Sequence, residues 1–163
     1  HGGRLVDLYS GYGFFSCYLA KDYSEVTGID FAGTSIDAAR ENMRMLKTGA
    51  KWTFHSRRID IRSLKDTLPE PGIPENIILD PPRNGTAPGV IAAVADRGPE
   101  QVLHIFCGVE TIPGEIKQWK KSGYAPVRCV PLDMFPGTPD VEVMVLLEKV
   151  QPLKTSSRSK SGR

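Results

Sequence analysis

The run Leu103-His104-Ile105-Phe106-Cys107-Gly108 closes an apolar stretch on a thiol, and a sulfur so placed is either core filling or a nucleophile. Free cysteine packs readily as a small hydrophobe, so the choice turns on which other reactive groups share its setting. Ile78-Leu79-Asp80-Pro81-Pro82-Arg83 supplies the sharpest companion. Two prolines lack N–H groups and fix the backbone, which holds a carboxylate just ahead of them rigid beside outward-facing carbonyls. A strand merely stopped by prolines accounts for Pro81 and Pro82 but not for the flanking charges of Asp80 and Arg83. Acids end or interrupt other apolar runs at Asp7 and Asp30, and burying a carboxylate is costly enough to need a reason.

Gly11-Tyr12-Gly13 lets the backbone turn tightly and approach a ligand, and Asp30 stands about 20 residues beyond it, where an acid accepts from ribose hydroxyls. Together they imply a nucleoside. A dinucleotide fingerprint needs a third glycine where this chain has Ser16, and Asp7 would repel a pyrophosphate. S-adenosylmethionine brings a sulfonium and an ammonium instead, so Asp7 favours that cofactor over a nicotinamide one.

These groups need elements to hold them. Leu5 to Tyr9, Val26 to Asp30, Trp52 to Arg57, Asn76 to Asp80 and Val102 to Cys107 are short apolar runs of strand type. Helices are expected from Phe14 to Lys21, over Ile36, Ala39, Met43 and Leu46, from about Pro88 to Asp96, and over Ile112, Ile116 and Trp119 with Gly123 as the cap beyond it. Thr34 and Asp37 suit the start of the second helix. Val127 to Met134 and Val141 to Leu147 follow as two strands joined through residues 135–139 with no helix between them. Alternating β and α units predict a mostly parallel sheet covered on both faces, with the terminal hairpin adding one antiparallel strand. Ligands of such sheets bind beyond the carboxyl ends of the strands, where Asp7 to Gly13, Asp30 to Gly33, Asp60, Asp80 to Gly85 and Cys107 all fall.

Composition limits the alternatives. At 163 residues and 40% hydrophobic content the chain suits one domain with a sizeable core. Three cysteines without CxxC spacing fit neither a disulfide framework nor a zinc site. No apolar stretch reaches the roughly 18 residues of a membrane helix, so a soluble cytoplasmic protein with no membrane or metal partner is expected. A formal charge of +2 says little about nucleic acid. Residues 151–163 turn to Lys, Arg, Ser and Gly and read as a disordered basic tail, leaving 1–150 as the folded domain.

The motifs together resemble those of the RNA uracil-5 methyltransferases, which make ribothymidine in transfer and ribosomal RNA. Asp7-Leu8-Tyr9-Ser10-Gly11-Tyr12-Gly13 is similar to that family's cofactor loop, and Asp80-Pro81-Pro82-Arg83 to its active-site loop. Cys107 ends the strand that carries its nucleophile, and Asp133-Met134-Phe135-Pro136 with Thr138 and Val141-Glu142 resembles its C-terminal signature. The resemblance implies a Rossmann-like class I S-adenosylmethionine-dependent fold with a seven-stranded sheet. It implies a thiolate of Cys107 adding to C6 of a uridine in RNA, methylation at C5, and Glu142 as the base that removes the C5 proton. Asp80 would hold the uracil edge, and the thiol, mostly protonated at neutral pH, would be activated by Arg83 or by the substrate pocket itself. Asp7, Tyr9, Gly11, Gly13, Asp30, Phe31, Asp60 and Asp80 would line the cofactor, Asp60 meeting the adenine amine. Where the family has asparagine and proline after the cysteine, this chain has Gly108 and Val109, and it begins just ahead of the cofactor loop. It therefore reads as the catalytic domain alone, its RNA gripped by N-terminal parts outside this sequence; the rival reading is a non-catalytic cofactor- or RNA-binding module of the same fold.

Overall fold

Successive side chains of a strand point to opposite faces of a sheet, and in this chain that alternation decides where each reactive group goes. The computed structural model describes residues 2–134, 136–138 and 141–150. In order come β1 (Arg4–Leu8), α1 (Phe14–Leu19), a 3-10 turn (Ala20–Asp22), β2 (Glu25–Asp30), α2 (Gly33–Leu46) and β3 (Lys51–Ser56). They are followed by α3 (Ile61–Thr67), β4 (Glu75–Leu79), α4 (Val90–Asp96), β5 (Gln101–Phe106), α5 (Ile112–Lys121), β6 (Tyr124–Leu132) and β7 (Glu142–Lys149). The strands form one seven-stranded sheet in the order β3-β2-β1-β4-β5-β7-β6. Neighbours among β1 to β5 are parallel, and β7 runs antiparallel to both β5 and β6. This is the mostly parallel sheet with a reversed hairpin strand that the sequence predicts.

Val6, Leu8, Ile77, Leu79, Val102 and Phe106 pack into one core with Leu64 of α3, Val90 and Val94 of α4 and Trp119 of α5. The intervening Leu5, Ile78 and Ile105 join Ile36, Ala39 and Met43 of α2 in a second core, against which Phe15, Cys17 and Leu19 of α1 rest. Helices α3, α4 and α5 thus cover one face, and α1 and α2 the other.

Local departures from expectation have physical causes. Helix α2 starts at Gly33 with Ala32 as its cap and no capping side chain, while Asp37 pairs with Arg40 at 2.9 Å instead. Asp30 Oδ1 accepts from the Ala32 N–H at 2.9 Å and so fixes the chain before Thr34 is reached. Helix α3 is unexpected: its seven residues bury one side chain, Leu64, too little to register as a stripe. Strand β6 begins at Tyr124 rather than Val127, because an edge strand tolerates Pro126 and Pro131 and a register shift at Pro126/Arg128 absorbs the first of them. The stripe of α5 and its positive-φ Gly123 (φ 84°) match expectation. Phe135, Pro139, Asp140 and the 151–163 tail lie outside the described residues.

Candidate active site

Strand order reverses between β1 and β4, so the crevice above their carboxyl ends is where this architecture places a ligand. The alternation of core-facing residues then sets the chemistry on one side. Ile78 and Ile105 face the α1–α2 core, which puts Asp80 and Cys107, two positions on, toward that side. Asp7 follows Val6 and Glu142 precedes Val143, both of which face the opposite core, so these two acids turn the same way.

Two carboxylates converge on the thiol. The antiparallel register pairs Phe106 with Val143, and one further step sets Cys107 opposite Glu142. Asp80 arrives from the adjacent β4, its N–H held by the Leu8 carbonyl at 3.2 Å, and the Cys107 thiol donates to Asp80 Oδ1 at 3.5 Å. Burial, reinforced by the charges of Asp80 and Glu142 and by hydrogen bonds to both, pushes the thiol pKa up to about 12. Burial likewise raises Asp80, against the lowering effect of the Cys107 hydrogen bond and with help from Glu142. The groups acting on the sulfur therefore keep it protonated. Arg83 itself is exposed on the loop after Asp80.

That loop is pressed close to the strand end. A Cβ at Gly108 would come 2.4 Å from the Arg83 carbonyl oxygen, closer than any side chain tolerates. Gly108 has φ −126°, so the demand is for space rather than for an unusual backbone. The glycine after the cysteine is thus the local counterpart of the loop's position.

The glycine loop is built around two acids. Asp7 is fully buried; its Oδ2 accepts from the Ser16 N–H at 3.1 Å and the Ser16 hydroxyl at 2.6 Å, while Oδ1 has no hydrogen-bond partner. Burial raises its pKa to about 6, the Ser16 bonds opposing and the charges of Asp80 and Asp30 adding. Ser16, read from sequence only as a missing glycine, is the residue that holds Asp7 in place. Asp30 bridges two turns, Oδ2 accepting from the Gly11 N–H at 2.9 Å as Oδ1 accepts from Ala32. Each oxygen retains a second acceptor site for a ligand hydroxyl. Gly13 adopts φ 82° and sits where a Cβ would come 3.1 Å from that of Ala39 on α2. Tyr9, at φ 66°, is half-buried and its hydroxyl meets the backbone of Ala87, tying the glycine loop to the segment after Asp80. Phe31 is 75% exposed on the rim, open to stacking by a flat ring. Asp60 caps α3 by accepting from the Ser63 N–H at 2.8 Å, so part of the carboxylate read as an adenine contact is already used.

The orphaned buried oxygen of Asp7, with the charges of Asp80 and Asp30 both acting on that carboxyl, suits a cationic ligand, and Asp30 with exposed Phe31 suits a nucleoside. The residues fit S-adenosylmethionine. Among the described residues no group of three or more His, Cys, Asp or Glu is arranged to hold a metal, and no helix is long and apolar enough to cross a membrane.

Sequence reasoning missed one buried cluster. His104, Glu115, Trp119 and Thr86 are joined beneath the site on the α5 face. The signal was Glu115 itself, a charged residue on the apolar stripe of Ile112, Ile116 and Trp119.

A sequence profile described as tRNA (Uracil-5-)-methyltransferase matches residues 1–150. The tRNA (uracil(54)-C(5))-methyltransferase of Pyrococcus furiosus is 32% identical over 150 residues, which cover 91% of this chain and 34% of that protein. The 23S rRNA (uracil(747)-C(5))-methyltransferase of Pyrococcus abyssi is 32% identical over 148 residues, with 91% and 34% covered. The crystal structure of Pyrococcus abyssi tRNA (uracil-54, C5)-methyltransferase with S-adenosyl-L-homocysteine superposes at TM-score 0.72 and 31% identity, covering 90% of this chain and 34% of that one. The chain spans about a third of the length of these relatives.

Proposed function

The chain belongs to the tRNA (uracil-5-)-methyltransferase family, and from that premise we propose that it methylates C5 of a uridine in transfer or ribosomal RNA by way of a covalent bond between Cys107 and C6. The observation that carries this reading is the convergence of Cys107, Asp80 and Glu142 from the adjacent strands β4, β5 and β7. Asp7, Gly11, Gly13, Asp30 and Phe31 would hold S-adenosylmethionine, with Tyr9 bracing their loop and Asp60 and Asp80 at its margins. When bound, that cofactor supplies an electrophilic methyl group to C5.

The chain's own residues do the rest. C5 of uracil is a poor nucleophile until sulfur adds at C6 and turns the ring into an enolate. As the C6–S bond forms, the thiol proton passes to Asp80, whose hydrogen bond to Sγ is already made and whose raised pKa suits it to accept. Protonated Asp80 then offers an O–H to the uracil carbonyl where enolate charge develops. After methylation Glu142 removes the C5 proton, the C6–S bond breaks, and sulfur recovers its proton from Asp80. Arg83, on the same loop, is suited to a phosphate of the RNA strand. The RNA grip is assigned to parts of the protein outside this chain, and a cytoplasmic location follows from such a substrate.

Gly108 and Val109, standing where the family has asparagine and proline beside the nucleophile, favour a second reading, a cofactor- or RNA-binding module without catalysis. One experiment separates the two. Transfer RNA and 23S ribosomal RNA fragments carrying 5-fluorouridine are incubated with the full-length protein and S-adenosylmethionine, and the peptide bearing Cys107 is sought by mass spectrometry. A stable Cys107–RNA adduct, lost in Cys107→Ala, is the expected result. Cofactor binding with no adduct on any RNA would replace catalysis with the binding module.

A further inference from the structure

On the face of the sheet opposite the candidate site, the loop after Asp80 and strand β5 both bring donors to one carboxylate, that of Glu115. His104 lies on β5 three residues ahead of Cys107, has no exposed surface, and stacks on Phe106 with ring centroids 4.0 Å apart. Its Nδ1 accepts from Trp119 Nε1 at 3.0 Å, so the imidazole proton resides on Nε2. Burial drives the ring's pKa down to about 3, which keeps it neutral. Nε2 sits 3.2 Å from Glu115 Oε2 but out of line, and neither atom has a well-formed hydrogen bond. The other oxygen, Oε1, takes the Thr86 N–H and the Thr86 hydroxyl, both at 2.7 Å.

Thr86 belongs to the loop that starts at Asp80, and Gly85 (φ 79°) passes so near that a Cβ there would come 2.6 Å from Glu115 Oε1. Glu115 therefore holds the loop of one site residue with one oxygen and touches the strand of the other with its second. The pattern of donors demands a carboxylate. Thr86 offers two N–H or O–H groups and His104 one, so a glutamine in either orientation would set its NH2 against a donor. An aliphatic residue would suit the stripe of α5 better, and a buried acid there costs stability that hydrogen bonds only partly offset.

We propose that Glu115 is a positioning residue for the candidate active site: through Thr86 it sets the height of the Asp80 loop, and through His104 it refers that height to the strand ending in Cys107. The inference rests on the methyltransferase reading and adds to it the device that keeps Asp80 within reach of the sulfur. The Cys107–Asp80 contact, at 3.5 Å, is ordinary for a sulfur donor, and a shift of about 1 Å in the loop breaks it.

The test compares Glu115→Gln, Thr86→Val and Thr86→Ser in the full-length protein. Three quantities are read: trapping of Cys107 by 5-fluorouridine RNA, affinity for S-adenosylhomocysteine, and alkylation of Cys107 by iodoacetamide, resolved from Cys17 and Cys129 by peptide mass spectrometry. Glu115→Gln and Thr86→Val should slow trapping about tenfold or more while affinity changes no more than about threefold, since misplacing a reacting group by an ångström has that order of effect. Alkylation should speed up about threefold or more, because a thiol released from a carboxylate ionises more readily. Thr86→Ser should restore all three. Wild-type trapping and alkylation in Glu115→Gln and Thr86→Val, or affinity and trapping falling in step, overturn the proposal. If the unaltered protein traps no RNA, the functional reading fails while alkylation still decides the positioning role. Should Glu115→Gln not fold, Thr86→Val removes one hydroxyl from a half-buried loop and decides alone.

Discussion

Asp7 should set stability and cofactor binding against each other. Its pKa rises from 3.8 to about 6 because burial disfavours the charged form more than the two Ser16 hydrogen bonds favour it. The sign follows directly. A carboxyl whose folded pKa lies above its unfolded value carries no penalty well below pH 3.8, acquires one as the pH climbs toward 6, and keeps it undiminished above. The full shift corresponds to about 3 kcal/mol, since each unit is worth about 1.4 kcal/mol, and no screening discount applies to a fully buried group. Asp7→Asn removes the titration, and its side-chain oxygen can still accept both Ser16 donors. Relative to wild type, the variant should therefore gain about 2 kcal/mol between about pH 4.5 and about pH 7.5. Urea unfolding of the unliganded protein at a series of pH values measures the difference, and calorimetry with S-adenosylhomocysteine measures what is lost, an affinity drop of about tenfold or more. A stability difference that stays flat across this range, or shrinks as pH rises, would refute the reasoning about Asp7.

Other outcomes follow from the same contacts. If ionised Asp7 meets the cofactor's positive charge, affinity for S-adenosylmethionine should rise about tenfold from pH 5 to pH 7, with proton release near pH 6 that titrations in buffers of different ionisation enthalpy detect. Gly108→Asn places side-chain atoms against the Arg83 carbonyl and should cost about 1–3 kcal/mol in urea unfolding while slowing fluorouridine trapping, because the displaced loop carries Asp80 with it. Asp60→Ser keeps the cap on α3, so thermal unfolding should move by no more than about 0.5 kcal/mol. Its shorter side chain withdraws from a bound adenine, and a several-fold loss of S-adenosylhomocysteine affinity would separate the two roles.

The frame of the site was readable because it is written in short-range terms. Apolar runs such as Leu5–Leu8 and Asn76–Leu79 name their strands, and a carboxylate or thiol at the end of a run names the rim of the sheet. Gly11 and Gly13 gave the loop because both adopt positive φ, a local requirement. What stayed hidden depends on separation in sequence. Thr86 and Glu115 lie 29 residues apart, and nothing in either neighbourhood says that a threonine and a glutamate will meet under a sheet. Ser16 looked like a failed glycine because its partner, Asp7, is on another element. The cap that Asp60 places on α3 was hidden for a related reason: its donor, Ser63, gives no signal until a helix is known to start there. The upward shift of the Cys107 thiol was equally illegible, since it arises from burial and from two carboxylates delivered by other strands.

In a sheet of uniformly parallel strands every rim residue comes from a strand's last positions. The reversal of β7 breaks that rule, letting a strand contribute its opening residue, Glu142, beside the terminus of β5. Nucleophile and base thereby sit on strands far apart in sequence, and the ladder between β5 and β7 is what holds them opposite each other. A protein nicked between β6 and β7 should accordingly hold together, since β7 pairs with a strand on each side and buries Val143, Val145 and Leu147 in the core.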